Sequence, residues 1–180
     1  MIFDEGDRFE RWIKVSIGLM RFEPHLMGLV QNLGDMDVKL CGIDEKVVDD
    51  YCQKNISPAY EDIQGHVTQS YLWVLGAYEV VRTLTQRLSE NQCNDPPKIF
   101  ETFKQVKARF SRVRVPLAKF EPASSHKKTD NHIAYPEFAF DIGIAWQVND
   151  DVIVSRRELS DALLNALERT RVETLRRSPS

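Results

Sequence analysis

Between Ile63 and Leu88 one set of side chains recurs in steps of three and four: Ile63, Val67, Tyr71, Val74, Tyr78, Val81, Thr85 and Leu88. That spacing aligns them along one stripe of a long helix, from about Ala59 to Ser89, in a pattern close to a heptad seam. From Tyr71 to Val81 the stripe widens, because Leu72, Trp73, Leu75, Ala77 and Val80 spread apolar groups around the circumference. A helix apolar all round belongs at the centre of a bundle, so Trp73 and Tyr78 are expected to be largely buried. Gly76 and Ala77 leave room in its middle for a neighbouring backbone.

The next stretch repeats the pattern. Ile99, Phe103, Val106, Phe110 and Val113 step by four and three, after Asn94-Asp95-Pro96-Pro97, which reads as an N-cap followed by proline in the first turn. Pro116 is expected to end or kink this helix. Two seams of one type joined by a short connection predict an antiparallel helical hairpin.

Upstream, residues 7–33 fit a helical stripe through Phe9, Trp12, Ile13, Ile17 and Met20, and also a strand's alternation through Ile13, Val15, Ile17 and Leu19. The helical template gathers both aromatics and is preferred. Pro24 ends or kinks it, a short helix carrying Leu26, Met27, Val30 and Leu33 follows, and Gly34-Asp35 punctuates. Asp44 then reads as the N-cap of another short helix, with Val47, Val48 and Tyr51 facing inward.

Near the C-terminus the period changes from helical to alternating. Ile144, Trp146 and Val148, a two-residue Asn149-Asp150 turn and β-branched Val152 to Val154 make a β-hairpin signature. Ser155 and Glu158 fit a capping box for a final helix with Leu159, Ala162, Leu163, Ala166 and Leu167 inside. The stretch from Arg169 onward is expected to fray into a basic tail. The fold class read from the sequence is therefore mainly α: one domain with a helical bundle core over residues 7–121, a C-terminal β-hairpin plus capped helix over 133–172, and a flexible tail over 173–180. An isolated hairpin has two open edges, so either the final helix and residues 133–140 cover both within one chain, with Pro136 confining that segment to an edge role, or a second copy pairs on an edge to give a homodimer.

Composition excludes some classes. The longest apolar run, Tyr71 to Tyr78, is far shorter than the roughly 20 residues a membrane span needs, and the acidic start is unlike a secretory signal, so a cytoplasmic protein without membrane association is expected. Cys41, Cys52 and Cys93 form no Cys-x-x-Cys pair and read as reduced, mostly buried thiols. Net charge is −3, yet residues 98–132 carry nine Lys or Arg against three acids. Such asymmetry marks either an anionic partner such as RNA or a solvated helix face.

Three groups of side chains have chemical potential. Glu79 and Arg82 interrupt the most apolar helix at i, i+3 spacing, where a buried carboxylate needs a partner. They read as a buried polar pair, either a proton-transfer acid with its cation or a structural ion pair. The loop from Glu121 to His132 holds His126, Asp130 and His132, which have the chemistry of metal ligands or of a general base. No His-Glu-x-x-His helix, glycine-rich phosphate loop or nucleophile elbow is present, and no cofactor or metal is assigned. Lys104, Lys107, Arg114 and Lys119 lie off the apolar seam, and with Lys127 and Lys128 they form the candidate phosphate-binding set. Phe103 and Phe110 are needed in the core and do not serve as base-stacking groups. His25 and His66 read as structural.

The segment Ser70 to Leu84, SYLWVLGAYEVVRTL, resembles a core helix of HEPN-type bundles, compact helical domains common in prokaryotic RNA-cleaving and defence systems. The helix after it and then a basic loop with histidine are similar in order, and the likeness covers about residues 59 to 132. Active members place a histidine four to six positions after an arginine. Here Arg114 precedes His126 by twelve positions and only lysines stand close before His132, so the catalytic motif is not matched. Two functional classes follow. One is a binding or interaction protein without catalysis. The other is a degenerate metal-independent ribonuclease, in which Arg112 or Arg114 would stabilise the phosphorane and His126 or His132 would act as acid–base.

Overall fold

The structure, a computed structural model, describes residues 4–21, 23–54, 59–90, 97–139 and 142–176. Within them five α-helices surround one core and a three-stranded antiparallel sheet closes one side of it: α1 Glu5–Gly18, α2 Leu26–Lys54, α3 Tyr60–Glu90, α4 Pro97–Lys119, β1 Tyr135–Ala139, β2 Gly143–Asn149, β3 Val152–Ser155 and α5 Arg156–Arg176. No described helix is long and apolar enough to cross a membrane.

The first segment is a helix, started by Asp4, whose carboxylate accepts the Asp7 N–H at 3.1 Å. Its inner face is not the expected stripe. Arg8, Trp12, Val15 and Ser16 are buried, whereas Phe9, Ile17 and Met20 are exposed. The helix is rotated because the core it meets is partly polar: Arg8 and Trp12 both donate to Asp37 of α2.

α2 is one continuous helix where two short ones were expected. Gly34 is no turn. It lies under Trp12, and a Cβ there would meet Trp12 Cβ and Cγ at 2.5 Å, so glycine allows α1 to approach. Asp44 is accordingly not an N-cap but a buried mid-helix residue. Val47 and Val48 are half-buried and Tyr51 is exposed.

α3 and α4 form the expected hairpin. Trp73 is fully buried, its ring 6.2 Å from that of Phe110, and its Nε1–H donates to the Leu33 carbonyl at 2.9 Å. Ile99, Phe103, Val106, Phe110 and Val113 are all buried. α3 is not enclosed all round, since Leu72 is 54% exposed. Beside Gly76 stands a side chain, Leu33, rather than a backbone. Pro116 neither ends nor interrupts α4, which continues to Lys119. The proline forfeits one N–H···O bond, but it is buried and Leu117 beyond it packs on the core. The expected Asn94–Pro96 start signal lies outside the described residues.

The hairpin is part of a larger sheet, in the order β1-β2-β3. β1 covers one edge of β2, with Pro136 opposite Trp146, an edge position where its missing donor is tolerated. The β2–β3 turn falls one residue later than expected, at Asp150-Asp151, and the Asn149 side chain accepts the Asp151 N–H at 2.9 Å. Ile144, Trp146 and Val148 are buried. The capping box forms reciprocally: Glu158 N–H donates to Ser155 Oγ at 3.0 Å, and Ser155 N–H to Glu158 Oε2 at 2.9 Å. Leu159, Leu163, Ala166 and Leu167 join the same core as α1 to α4. Rather than fraying after Arg169, α5 stays helical to Arg176, with Thr170 buried and donating to the Ala166 carbonyl at 2.9 Å.

Candidate functional site

The basic helix and the polar loop are joined by one ion pair. Arg112 projects from the flank of α4 and donates through Nε and Nη2 to the two carboxylate oxygens of Asp130, at 2.7 and 2.8 Å. Asp130 is held for this contact by a tight turn, in which the Thr129 and Asp130 N–H groups both donate to the His126 carbonyl at 3.1 and 2.9 Å. Its Oδ1 also accepts from Thr129 Oγ1 at 3.1 Å and from Asn149 Nδ2 at 3.0 Å, and the Asn131 N–H donates to the Val148 carbonyl at 2.8 Å. A bidentate guanidinium–carboxylate pair fixes both distance and orientation. The loop is therefore bolted at once to α4 and to β2, and Lys127 and Lys128 lie exposed in its turn, between His126 and Asp130.

The hydrogen bonds from Arg112 hold the Asp130 carboxyl below the usual carboxylate range, assisted by Thr129 and Asn149. Asp130 is thus an anchor and not a proton acceptor. His126 stands at its edge, Nδ1 4.0 Å from Asp130 Oδ2. His132 is exposed. Arg114 leaves α4 on the opposite flank, its guanidinium 5.0 Å over the Tyr78 ring and 3.9 Å from Glu79. Of the four residues considered for RNA cleavage, Arg112 and His126 meet at Asp130, Arg114 lies against Tyr78 and Glu79 of α3, and His132 is exposed. Among the described residues no group of three His, Cys, Asp or Glu is placed to hold a metal ion.

Lys104 pairs with Glu101 at 3.3 Å and Lys119 approaches Glu121 at 3.9 Å. Lys107, Arg109, Lys127 and Lys128 have no ion pair among the described residues. The Glu79–Arg82 pair is not buried. The two side chains meet at 2.7 Å and each is 47% exposed, because they share an outward strip of α3 with Leu72. It is a surface ion pair, screened by solvent, and contributes little to stability.

Sequence reasoning missed the most concentrated set of ionic groups, which lies inside the protein. Asp37 accepts from Arg8 Nε at 2.7 Å, Trp12 Nε1 at 2.9 Å and Arg156 Nη1 at 2.7 Å. Arg156, from the first turn of α5, also donates to Asp44 at 2.7 Å, and its Nη2 lies 3.3 Å from Cys41 Sγ. Asp44 is 2.6 Å from His66 Nε2 and accepts the Ile144 N–H at 3.2 Å. Burial would raise the carboxyl of Asp37, but Arg8 and Arg156 overcome this and hold it low. Burial and Asp37 push the Cys41 thiol up, which suppresses the thiolate a nucleophile needs. Cys52, by contrast, is exposed, and Cys93 lies outside the described residues. A signal for this cluster existed: Asp37, Cys41 and Asp44 recur on one face of an otherwise apolar helix, and Arg8 and Trp12 are one turn apart.

The network's chemistry is structural, with Asp37, Asp44 and Arg156 closed to solvent. Because Asp37 and Asp130 both titrate lower in the folded chain, their contribution to stability is present above about pH 4, the unfolded carboxylate value, and is lost as pH falls through the lower folded values. The urea midpoint should therefore be level between about pH 7 and 5 and fall below about 4. Asp130→Asn should make that fall shallower, and an unchanged acid limb would refute the assignment.

Compared with family models, curated proteins and solved structures, the chain matches none.

Proposed function

We propose that this chain is a non-catalytic RNA-binding protein, and that the outer face of α4 with the loop bolted to it is its phosphate-contacting surface. The observation that carries this reading is the Arg112–Asp130 pair. It neutralises the one acid near the tip of the loop and leaves Lys127 and Lys128, with Arg109 one turn before Arg112 on α4, free of acidic partners. Unpaired cations gathered from two segments are what a polyanion exchanges its counterions for. The ribonuclease alternative is less well supported, since it needs an arginine and a histidine facing one reacting phosphate. Arg112 is already engaged by a carboxylate, and Arg114 lies against Tyr78.

Fluorescence anisotropy with a short single-stranded RNA in EDTA tests this. Binding should weaken steeply with salt. Lys127→Glu with Lys128→Glu should lower the slope of log affinity against log salt by roughly 1.4, the share of two phosphate contacts on a single strand. No retention at low salt would end the reading. Cleavage of the RNA in EDTA, abolished by His126→Ala, would replace it with the ribonuclease.

A further inference from the structure

The segment that joins the basic helix to the loop holds a residue that the fold does not explain. α4 stops at Lys119, and Phe120 follows with φ at +57°. This left-handed position closes many helices and is normally taken by glycine or asparagine, because a Cβ there crowds the following carbonyl. Phe120 is the only described residue other than glycine with a positive φ. A bulky side chain in such a position is expected to be held by packing. Here it is 67% exposed, the most exposed large hydrophobic residue described. Both neighbours are polar and exposed, whereas Pro122 and Ala123 immediately beyond turn inward. The backbone conformation is unfavourable for phenylalanine, and burial does not compensate for it. A residue strained and displayed in this way points to function.

Its surroundings indicate which. Lys119 precedes it, Lys127 and Lys128 follow in the same loop, and the Arg112 anchor lies about 12 Å back along the helix axis at the usual rise per residue. An exposed aromatic ring carried on the same short segment as several exposed amines supplies what single-stranded nucleic acid requires: a face for a base and cations for the flanking phosphates. A membrane surface would call for a broader apolar patch than one ring. We infer that Phe120 is a stacking platform for an unpaired base of single-stranded RNA, with the adjoining phosphates on Lys119, Lys127 and Lys128. The inference rests on the RNA-binding reading and adds to it a preference for unpaired strands.

The test compares wild-type protein with Phe120→Ala, Phe120→Gly, Phe120→Trp and, as a control, Phe9→Ala on α1, another exposed aromatic. Binding is measured by anisotropy to a single-stranded RNA, to the same strand with one abasic site, and to its duplex. Phe120→Ala and Phe120→Gly should weaken single-strand binding by roughly 5- to 100-fold, the loss of one stacked base, with the salt slope unchanged. Phe120→Trp and Phe9→Ala should bind as wild type. Abasic substitution should weaken wild type and leave Phe120→Ala unaffected. Phe120→Gly should also melt a few degrees higher, about what relief of a strained position gives. Full affinity in Phe120→Ala, while the Lys127 and Lys128 reversals still weaken binding, would overturn the stacking role and spare the RNA reading. No RNA binding by wild type would overturn both. A lower melting temperature in Phe120→Gly would make the residue structural, and loss of vesicle binding in Phe120→Ala without loss of RNA binding would assign the ring to a lipid surface.

Discussion

Asp37→Ala is expected to destabilise the protein by about 3–5 kcal/mol, the range for removing one partner of a buried ionic cluster. A domain of this size is stable by only about 5–15 kcal/mol in total, so the variant should be largely unfolded in mild urea. Arg8, Trp12, Arg156 and, more weakly, the Cys41 thiol all donate to this carboxylate. Arg156 is fully buried and Arg8 nearly so, and Trp12 Nε1 shares the oxygen that Arg8 uses. Removing the acid leaves a guanidinium charge in the core with Asp44 as its remaining carboxylate. Arg156→Met should be almost as harmful, because it strands Asp37 and Asp44 together. The double variant Asp37→Ala with Arg156→Met should cost clearly less than the two single changes summed, since neither member of that pair is then left facing a missing partner, while Arg8 keeps Asp161 and Asp44 keeps His66. Urea denaturation of the four proteins measures this. A loss below about 1 kcal/mol for Asp37→Ala would show that the cluster does not hold α1, α2 and α5 together.

This cluster also explains which parts of the fold were legible in the sequence. The α4 seam was readable because its inner face is apolar, and α3 and α5 were readable where theirs is: Val74, Val81, Phe103, Phe110, Leu159 and Leu163 all lie in the core. By contrast, Ile63, Val67, Tyr71 and Tyr78 of the expected α3 stripe are half-buried, and His66 and Ser70 are buried instead. α1 and α2 were misread where the core is ionic. Periodicity assigns a charged residue to the outside, so the burial of Arg8 and Asp37 shifted the apparent stripe of α1 toward Phe9 and Ile17. It likewise made Asp44 resemble a cap. Gly34-Asp35 has turn composition, yet its meaning is set by Trp12, which is distant in sequence. The site followed the same rule. The loop's polar groups and the lysines were visible, but the pairing of Arg112 with Asp130 spans 18 positions, and the dihedral angle of Phe120 has no signature in residue type.

The second large effect is expected where the sheet meets the ionic core. Gly143 opens β2 with φ at +79°, and a Cβ there would fall inside the Asp44 carboxylate. The contact is backbone against carboxylate because the adjacent Ile144 N–H donates to Asp44 Oδ1. Gly143→Ala therefore has two costs. The left-handed position disfavours alanine by about 1–2 kcal/mol, and Asp44 must move off Ile144, His66 and Arg156 or the strand must lift. Loss of one buried charged hydrogen bond alone costs about 1.5–3 kcal/mol. Together these predict destabilisation of about 3–5 kcal/mol. Gly28→Ala, the same change in α2, is the contrast, because a Cβ there has no other atom within 4 Å. Helix propensity alone should make Gly28→Ala neutral or stabilising by up to about 1 kcal/mol. Thermal melts of the two variants should thus move in opposite directions. A Gly143→Ala protein that melts within about 2 °C of wild type, where 1 kcal/mol moves a domain of this size by about 2–4 °C, would mean that the sheet does not seat on Asp44.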